Sequence, residues 1–220
     1  MRIVVVAAVT MAVAAAMAAT ARAQTAPFGV GPTIGTLGAG LEGSLRVGPN
    51  LGLRLDGSAL DFGANRTISG VPYKFDAKLR SGGPVLDVYP FGGGFRLSGG
   101  VRIDGNRADV TSTPSSNIQV GSNTYTPAEL GTLSGSVKYN RVAPYVGLGY
   151  GGRVASWLEL GFDAGVLYQG KPKVSLGATG AFANDPTLQA DLAQQRAAIQ
   201  SKINWTEWYP VLMLSALFRF

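Results

Sequence analysis

Charged side chains of this sequence recur at every second position of apolar stretches, the spacing that gathers them on one face of a β-strand. Glu42, Arg46, Arg54, Asp56, Asp76, Lys78, Arg80, Arg96, Arg102 and Asp104 are even-numbered, and Glu159, Asp163 and Arg219 keep the alternation in odd phase. An eight-stranded barrel has an interior just wide enough for side chains to fill. Turned into it, charges of both signs have two uses. They pair and plug the interior, because an unpaired charge there is costly. Or they line a narrow passage for small or anionic solutes, a use that the basic excess among them keeps open.

Catalysis finds less support. The sequence has no histidine, which removes Ser-His-Asp triads, His-paired carboxylates or serines, and histidine-ligated metals. "GLGYGG" (147–152) matches GxGxxG through Gly147, Gly149 and Gly152, but a strand-like segment follows it where a dinucleotide site needs a helix. "DGNRAD" offers Asp104, Asn106 and Asp109 as oxygen ligands without the full calcium-loop spacing, which leaves a solvated loop as the stronger reading. No catalytic residue, metal or cofactor is expected.

The elements that position these charges are short. In "LGAGLEGSLRV" the odd positions Leu37, Ala39, Leu41, Leu45 and Val47 are apolar, and the even positions include Glu42, Ser44 and Arg46. After the turn signal "GPN", "LGLRLDGSA" repeats the pattern, and the loop 48–50 sets 47 opposite 51, so odd faces odd. Residues 73–80, "FRLSGGVRID" and "WLELGFDAGVLY" alternate likewise. A phase change near Gly82-Gly83, before Leu86 and Val88, reads as a bulge. The chain is expected to be all-β and antiparallel.

Residues 1–23 carry Arg2, an apolar run from Ile3 to Ala19 and the tripeptide Ala21-Arg22-Ala23, the pattern of a signal peptide with cleavage before Gln24. The run is short and alanine-rich for an uncleaved anchor. Removal takes Arg2 and Arg22 away, so 19 basic residues become 17 against 13 acids, a net charge of +4. No Lys/Arg cluster accompanies it, so no nucleic-acid partner is expected. With no cysteine, the exported chain has neither disulfides nor a thiolate metal site.

Alternation does not say which face is inside: a soluble lipocalin-like barrel is apolar within, an outer-membrane barrel the reverse. The segment "WYPVLMLSALFRF" (208–220) decides for the membrane. At about 3.3 Å per residue and a tilt near 40° it climbs roughly 33 Å, enough for an apolar band of about 25 Å with aromatic girdles. Trp205, Trp208 and Tyr209 would mark one interface, Phe218 and Phe220 the other.

A signal peptide, about eight amphipathic strands and a last strand ending in phenylalanine resemble the small outer-membrane β-barrel proteins of Gram-negative bacteria, the OmpA-like and OmpW-like group. "GTLGAGLEGSLRVGPNLGLRLDG", "YPFGGGFRLSGG", "NTYTPAELGTLSG" and "APYVGLGYG" are also similar to a largely uncharacterised family of proteobacterial outer-membrane proteins. The resemblance implies that Phe220 belongs to the signal read by the barrel-assembly machinery, and implies no activity. The OmpA-type peptidoglycan-binding domain is not expected after the barrel.

The reading is therefore a signal peptide (1–23) and a transmembrane antiparallel β-barrel of eight strands (24–220), a monomer in outer-membrane lipid. Periplasmic turns are expected at 48–50, 89–94 and 149–156, outer loops at 62–72, 105–131 and 182–205, and a first strand within "APFGVGPTIG". "PKVSLGATG" (172–180) is read as an extension of the strand before it. One helical segment, capped by Asp185 with Pro186 in its first position and with Leu188, Leu192, Ile199 and Ile203 near one face, is expected in the last outer loop. Thr126, Pro127 and Glu129 form a capping-box pattern for a single turn. The expected role is structural or surface-interacting, through loops whose partner the sequence does not name. The alternatives are a narrow passive channel and a soluble exported barrel.

Overall fold

Period-two alternation is realised as thirteen strands in the computed structural model, which describes residues 27–68 and 71–220. The signal peptide and its cleavage before Gln24 fall outside the described residues. In chain order come β1 (Phe28–Gly35), β2 (Gly38–Arg46), β3 (Leu51–Ile68), β4 (Val71–Val88), β5 (Phe95–Asp104), β6 (Arg107–Ser112), β7 (Ile118–Val120) and β8 (Asn123–Tyr125). The short helix α1 (Pro127–Leu130) precedes β9 (Leu133–Lys138), β10 (Val142–Ala155), β11 (Leu158–Tyr168) and β12 (Lys173–Ala178). The helix α2 (Pro186–Ile203), a 3₁₀ turn (Asn204–Glu207) and β13 (Trp208–Arg219) complete the chain. No helix among the described residues is long and apolar enough to cross a membrane.

All pairings are antiparallel. They follow the order β4-β3-β2-β1-β13-β11-β10-β5, and β5 pairs in turn with β4. The first strand falls within the expected segment despite Pro32. The β1–β13 register pairs run from Gly29↔Arg219 to Val30↔Phe218 and resume at Thr33↔Ser215, stepping over the proline, which has no N–H to donate. Val47 N–H bonds the Leu51 carbonyl at 2.9 Å, so odd faces odd across that hairpin as read.

Thirteen strands exceed the expected eight, and the reason lies in β3 and β4. Each has 18 residues, about 45 Å at the rise and tilt used above, well beyond an apolar band of about 25 Å. Residues expected as an outer loop at 62–72 are thus mostly strand. Beyond the end of β5, β4 pairs with β6, β6 with β9, and β9 with β12, making a sheet arm. β7 and β8 form a separate hairpin. β12 is a strand of its own, yet it continues the direction of β11 after a break at 169–172, as the extension reading required. The expected turn at 149–156 shrinks to Ser156 and Trp157, because β10 runs to Ala155.

Both helices stand where their caps place them. Thr126 and Glu129 close a reciprocal capping box on α1. The Asp185 carboxylate accepts the backbone N–H groups of Thr187 and Leu188 at the start of α2. Leu188 and Leu192 of α2 pack with Val120, Tyr125 and Leu130, against Leu133, Leu176 and Ala178 of the arm. The helix and hairpin thus cover one face of the arm.

Candidate functional site

In β2, β3, β5 and β11 the charged face is the buried face. Glu42, Arg54, Arg96, Arg102, Asp104 and Asp163 are all buried, while Leu41, Leu53, Leu55, Leu97, Ile103, Leu160 and Phe162 on the opposite faces are exposed. Arg54 is the hub. Its Nε and Nη2 grip Asp87 at 2.6 and 3.0 Å, its Nη1 reaches Asp163 at 3.0 Å and Glu42 at 3.5 Å, and Nη2 also donates to Ser98 at 3.1 Å. Arg96 forks onto the same Asp163 at 3.1 and 2.7 Å, the bidentate geometry a planar guanidinium favours. Arg102 bonds Asp56 at 2.7 Å and Ser81 at 2.8 Å. Arg219 bonds Glu159 at 2.7 Å and Ser44 at 3.0 Å.

Glycine makes room for this network. A Cβ at Gly149 would collide with the Asp163 carboxylate and the Arg96 guanidinium, and one at Gly147 with the Tyr145 hydroxyl. Two of the three glycines of the GxGxxG match therefore make room for a guanidinium and a phenol.

Above the charges lies an apolar layer that the sequence reading did not foresee. Leu37 in the β1–β2 turn packs with Val85, Ala143, Tyr145, Leu167, Val211 and Met213, and Tyr209 lies against them. The two layers meet where the Arg102 guanidinium approaches the Tyr145 ring, 5.9 Å from its centroid. The cavity left between them has a volume of about 20 Å³, room for about one water molecule. Glu42 and Asp56, each with one carboxylate oxygen that has no hydrogen-bond partner among the described residues, line it. This interior is filled.

Several sequence-predicted residues lie elsewhere. Asp76, Lys78 and Arg80 do not join the interior charges. They project from the arm, where Arg80 pairs with Asp61 at 3.1 Å and Lys74 with Asp76 at 3.6 Å, all four side chains being substantially exposed. The reason is register. The β3–β4 pairing runs unbroken from Leu51↔Val88 to Ile68↔Val71, so no bulge at Gly82-Gly83 turns the even positions of β4 inward. They stay on the face of Leu86 and Val88. Arg46 is also peripheral: its Nη2 caps the carbonyls of Pro49, Gly92 and Gly93, and its guanidinium lies 3.8 Å from the Tyr89 ring centroid. Asp104 is buried near the loop end, where it accepts the Asn106 N–H at 3.0 Å. Asp87 was missed, although its place between Leu86 and Val88 marks it as an inward position.

The chain is similar to two solved structures from Acinetobacter baumannii. CarO2 is 23% identical, with 90% of this chain and 100% of that chain covered and a TM-score of 0.60. CarO is 21% identical, with 88% and 98% covered and a TM-score of 0.59. The chain has their fold. No family model matches the sequence, and no curated protein matches it.

Aromatic residues mark both ends of the exposed apolar surface. Trp208 stacks at a tilt on Tyr168, centroids 4.8 Å apart, and Phe218 lies nearly parallel to Trp157 at 5.9 Å. Trp205 is exposed in the 3₁₀ turn, and Phe220 is exposed while its N–H bonds the Phe28 carbonyl at 2.9 Å. Tyr209 departs from the expected girdle. It shares the inward parity of Val211 and Met213, and its hydroxyl donates to the Thr36 carbonyl at 2.6 Å.

Proposed function

We propose that the chain is a non-enzymatic integral outer-membrane protein of the small OmpA-like or OmpW-like kind, a monomeric eight-stranded barrel closed by the β4–β5 and β1–β13 pairings. It acts through its arm and loops rather than through its interior. The observation that carries this is the inversion of polarity in the paired strands: leucine, isoleucine, valine and phenylalanine outside, paired arginines and carboxylates inside. In water that arrangement is unfavourable on both counts. In lipid it is the expected one. The likeness in fold to two proteins of a Gram-negative bacterium supports it.

The short-turn end then faces the periplasm, and the arm, hairpin and α2 face outward. Phe220 is read as part of the barrel-assembly signal. A filled interior favours the sealed core over the narrow passive channel.

The test is a heat-modifiability gel of the refolded mature protein (residues 24–220) followed by single-channel recording in planar bilayers. A band that shifts on boiling, with silent bilayers, is the expected result. Discrete conductance steps would overturn the sealed core and return the solute channel to first place. An unshifted band with protein that stays soluble without detergent would overturn the membrane reading.

A further inference from the structure

Among the arm's exposed charges, one row is arranged in a way its own fold does not neutralise. Cross-strand registers set Lys78 opposite Arg107, Arg107 opposite Lys138, and Lys138 opposite Lys173. Four cations from β4, β6, β9 and β12 thus stand side by side on one face. At about 4.8 Å between strands the row is about 14 Å long. Like charges directly opposite each other on a sheet are destabilising, so three such contacts in succession call for an anion. The protein supplies little. Arg107 has Asp109 at 2.6 Å, and Asp61, opposite Lys78, is engaged by Arg80. Lys78, Lys138 and Lys173 are exposed and make no ion pair among the described residues.

The row's height is equally specific. Arg107 follows Ile103 by four residues and Lys138 precedes Val142 by four, and Ile103 and Val142 are paired and more than half exposed on the apolar surface. Because the β4 register with β5 continues unchanged into β6, the row lies on the same face as that surface. At about 3.3 Å per residue and a tilt near 40° it stands about 10 Å beyond the Ile103–Val142 pair. Lysine stems reach back from there into a headgroup layer. The same face forms a trough of about 640 Å³ that starts at Lys78 and Arg107 of the row and continues outward over Lys74, Asp76, Asp109 and Ser134. Moving away from the barrel, this face therefore reads apolar, then cationic, then a trough of hydroxyls and mixed charge.

We propose that the row Lys78, Arg107, Lys138 and Lys173 binds the phosphate groups of a phosphorylated glycolipid of the outer leaflet, whose acyl chains lie on the apolar surface and whose sugars enter the trough. The inference rests on the membrane reading above. It adds a lipid class and a site.

The test uses the refolded protein in detergent micelles with purified lipopolysaccharide as probe. The parent binds saturably, and binding weakens as salt is raised. The triple variant Lys78→Gln, Lys138→Gln, Lys173→Gln keeps its heat-modifiable band and binds about 100-fold more weakly, each lysine accounting for roughly 5-fold. The single variant Lys138→Gln shows the 5-fold loss and guards against misfolding of the triple one. Enzymatic removal of the lipid phosphates abolishes binding by the parent, and phosphatidylglycerol vesicles, which lack the sugars, compete poorly. A heat-shifted triple variant that binds like the parent would overturn this proposal alone, as would equal binding of the dephosphorylated probe or full competition by phosphatidylglycerol. A parent without a heat shift would remove the membrane reading and this one together.

Discussion

Strands β3 and β4 pass through two surroundings, and their faces exchange polarity between them. In the lower half Leu53, Leu55, Leu86 and Val88 are exposed, while Arg54 and Asp87 are buried against each other. In the arm, the face that continues those leucines carries Asp61, Lys78 and Asp76, and the face that continues Arg54 carries Phe62 and Phe75. One unbroken register connects the halves. On the membrane reading proposed above, what changes is the medium: in lipid the two strands turn their charges inward, and beyond it Phe62 and Phe75 stay exposed while α2 and the β7–β8 hairpin cover Leu133, Leu176 and Ala178 of β9 and β12.

That contrast is sharpest at arginine. Arg54→Ala leaves Asp87, Asp163 and Glu42 buried with lost compensation, and should cost about 3–5 kcal/mol in urea unfolding from vesicles. A loss under about 1 kcal/mol would show that water already reaches the hub. Leu214→Arg places a charge on the exposed apolar face of β13 and, if that face meets lipid as proposed, should cost about 2–4 kcal/mol in the same assay. An unchanged midpoint there would contradict a lipid-facing surface. Arg80→Ala removes the exposed partner of Asp61 and should cost at most about 1 kcal/mol.

The smallest effect is a local one that follows pH. Bonds from Tyr125, Asn123 and the Ser122 N–H hold the Asp191 carboxyl below its ordinary value, and the bond to Asp191 pushes the Tyr125 phenol up to about 12. Asp191 therefore stabilises the clasp between α2 and the hairpin above the ordinary carboxylate pKa, and that contribution is lost as pH falls through its lowered folded value. Tyr125 contributes fully below pH 10 and its part is lost as pH rises through about 12. Protection against hydrogen exchange at residues 118–125, taken relative to the intrinsic rate at each pH, should be greatest between these limits. Asp191→Asn should remove the acidic limb and leave the barrel's heat shift intact.

Much of this was legible in the residues. Alternation located the wall strands, the turns at 48–50 and 89–94, and the faces of Arg54, Arg96, Arg102 and Asp163. The Asp185-Pro186 and Thr126/Glu129 patterns located both helices. Two things were not legible. Alternation defines two faces without naming what each one meets, so the charges of 74–80 looked like a continuation of the interior set, and an exchange of polarity between the faces near Gly82 looked like a bulge. The apolar interior layer was hidden for a related reason. In "VLMLSALF" both faces are apolar, so Val211 and Met213, which face in, carry no mark distinguishing them from Leu212 and Leu214, which face out.

The pairing of Gly29 with Arg219 joins residues about 190 apart in sequence, and it sets the order of assembly. β1, the first strand of the described residues, keeps an open second edge until β13, the last one, joins it. During that wait the chain carries two open strand edges, a template for joining other chains. Collapse in water offers no refuge, because the leucines that would drive it are destined for the outside of the finished wall. On the membrane reading proposed above, closure of the seam and entry into the bilayer would therefore be one event, completed when β13 joins β1.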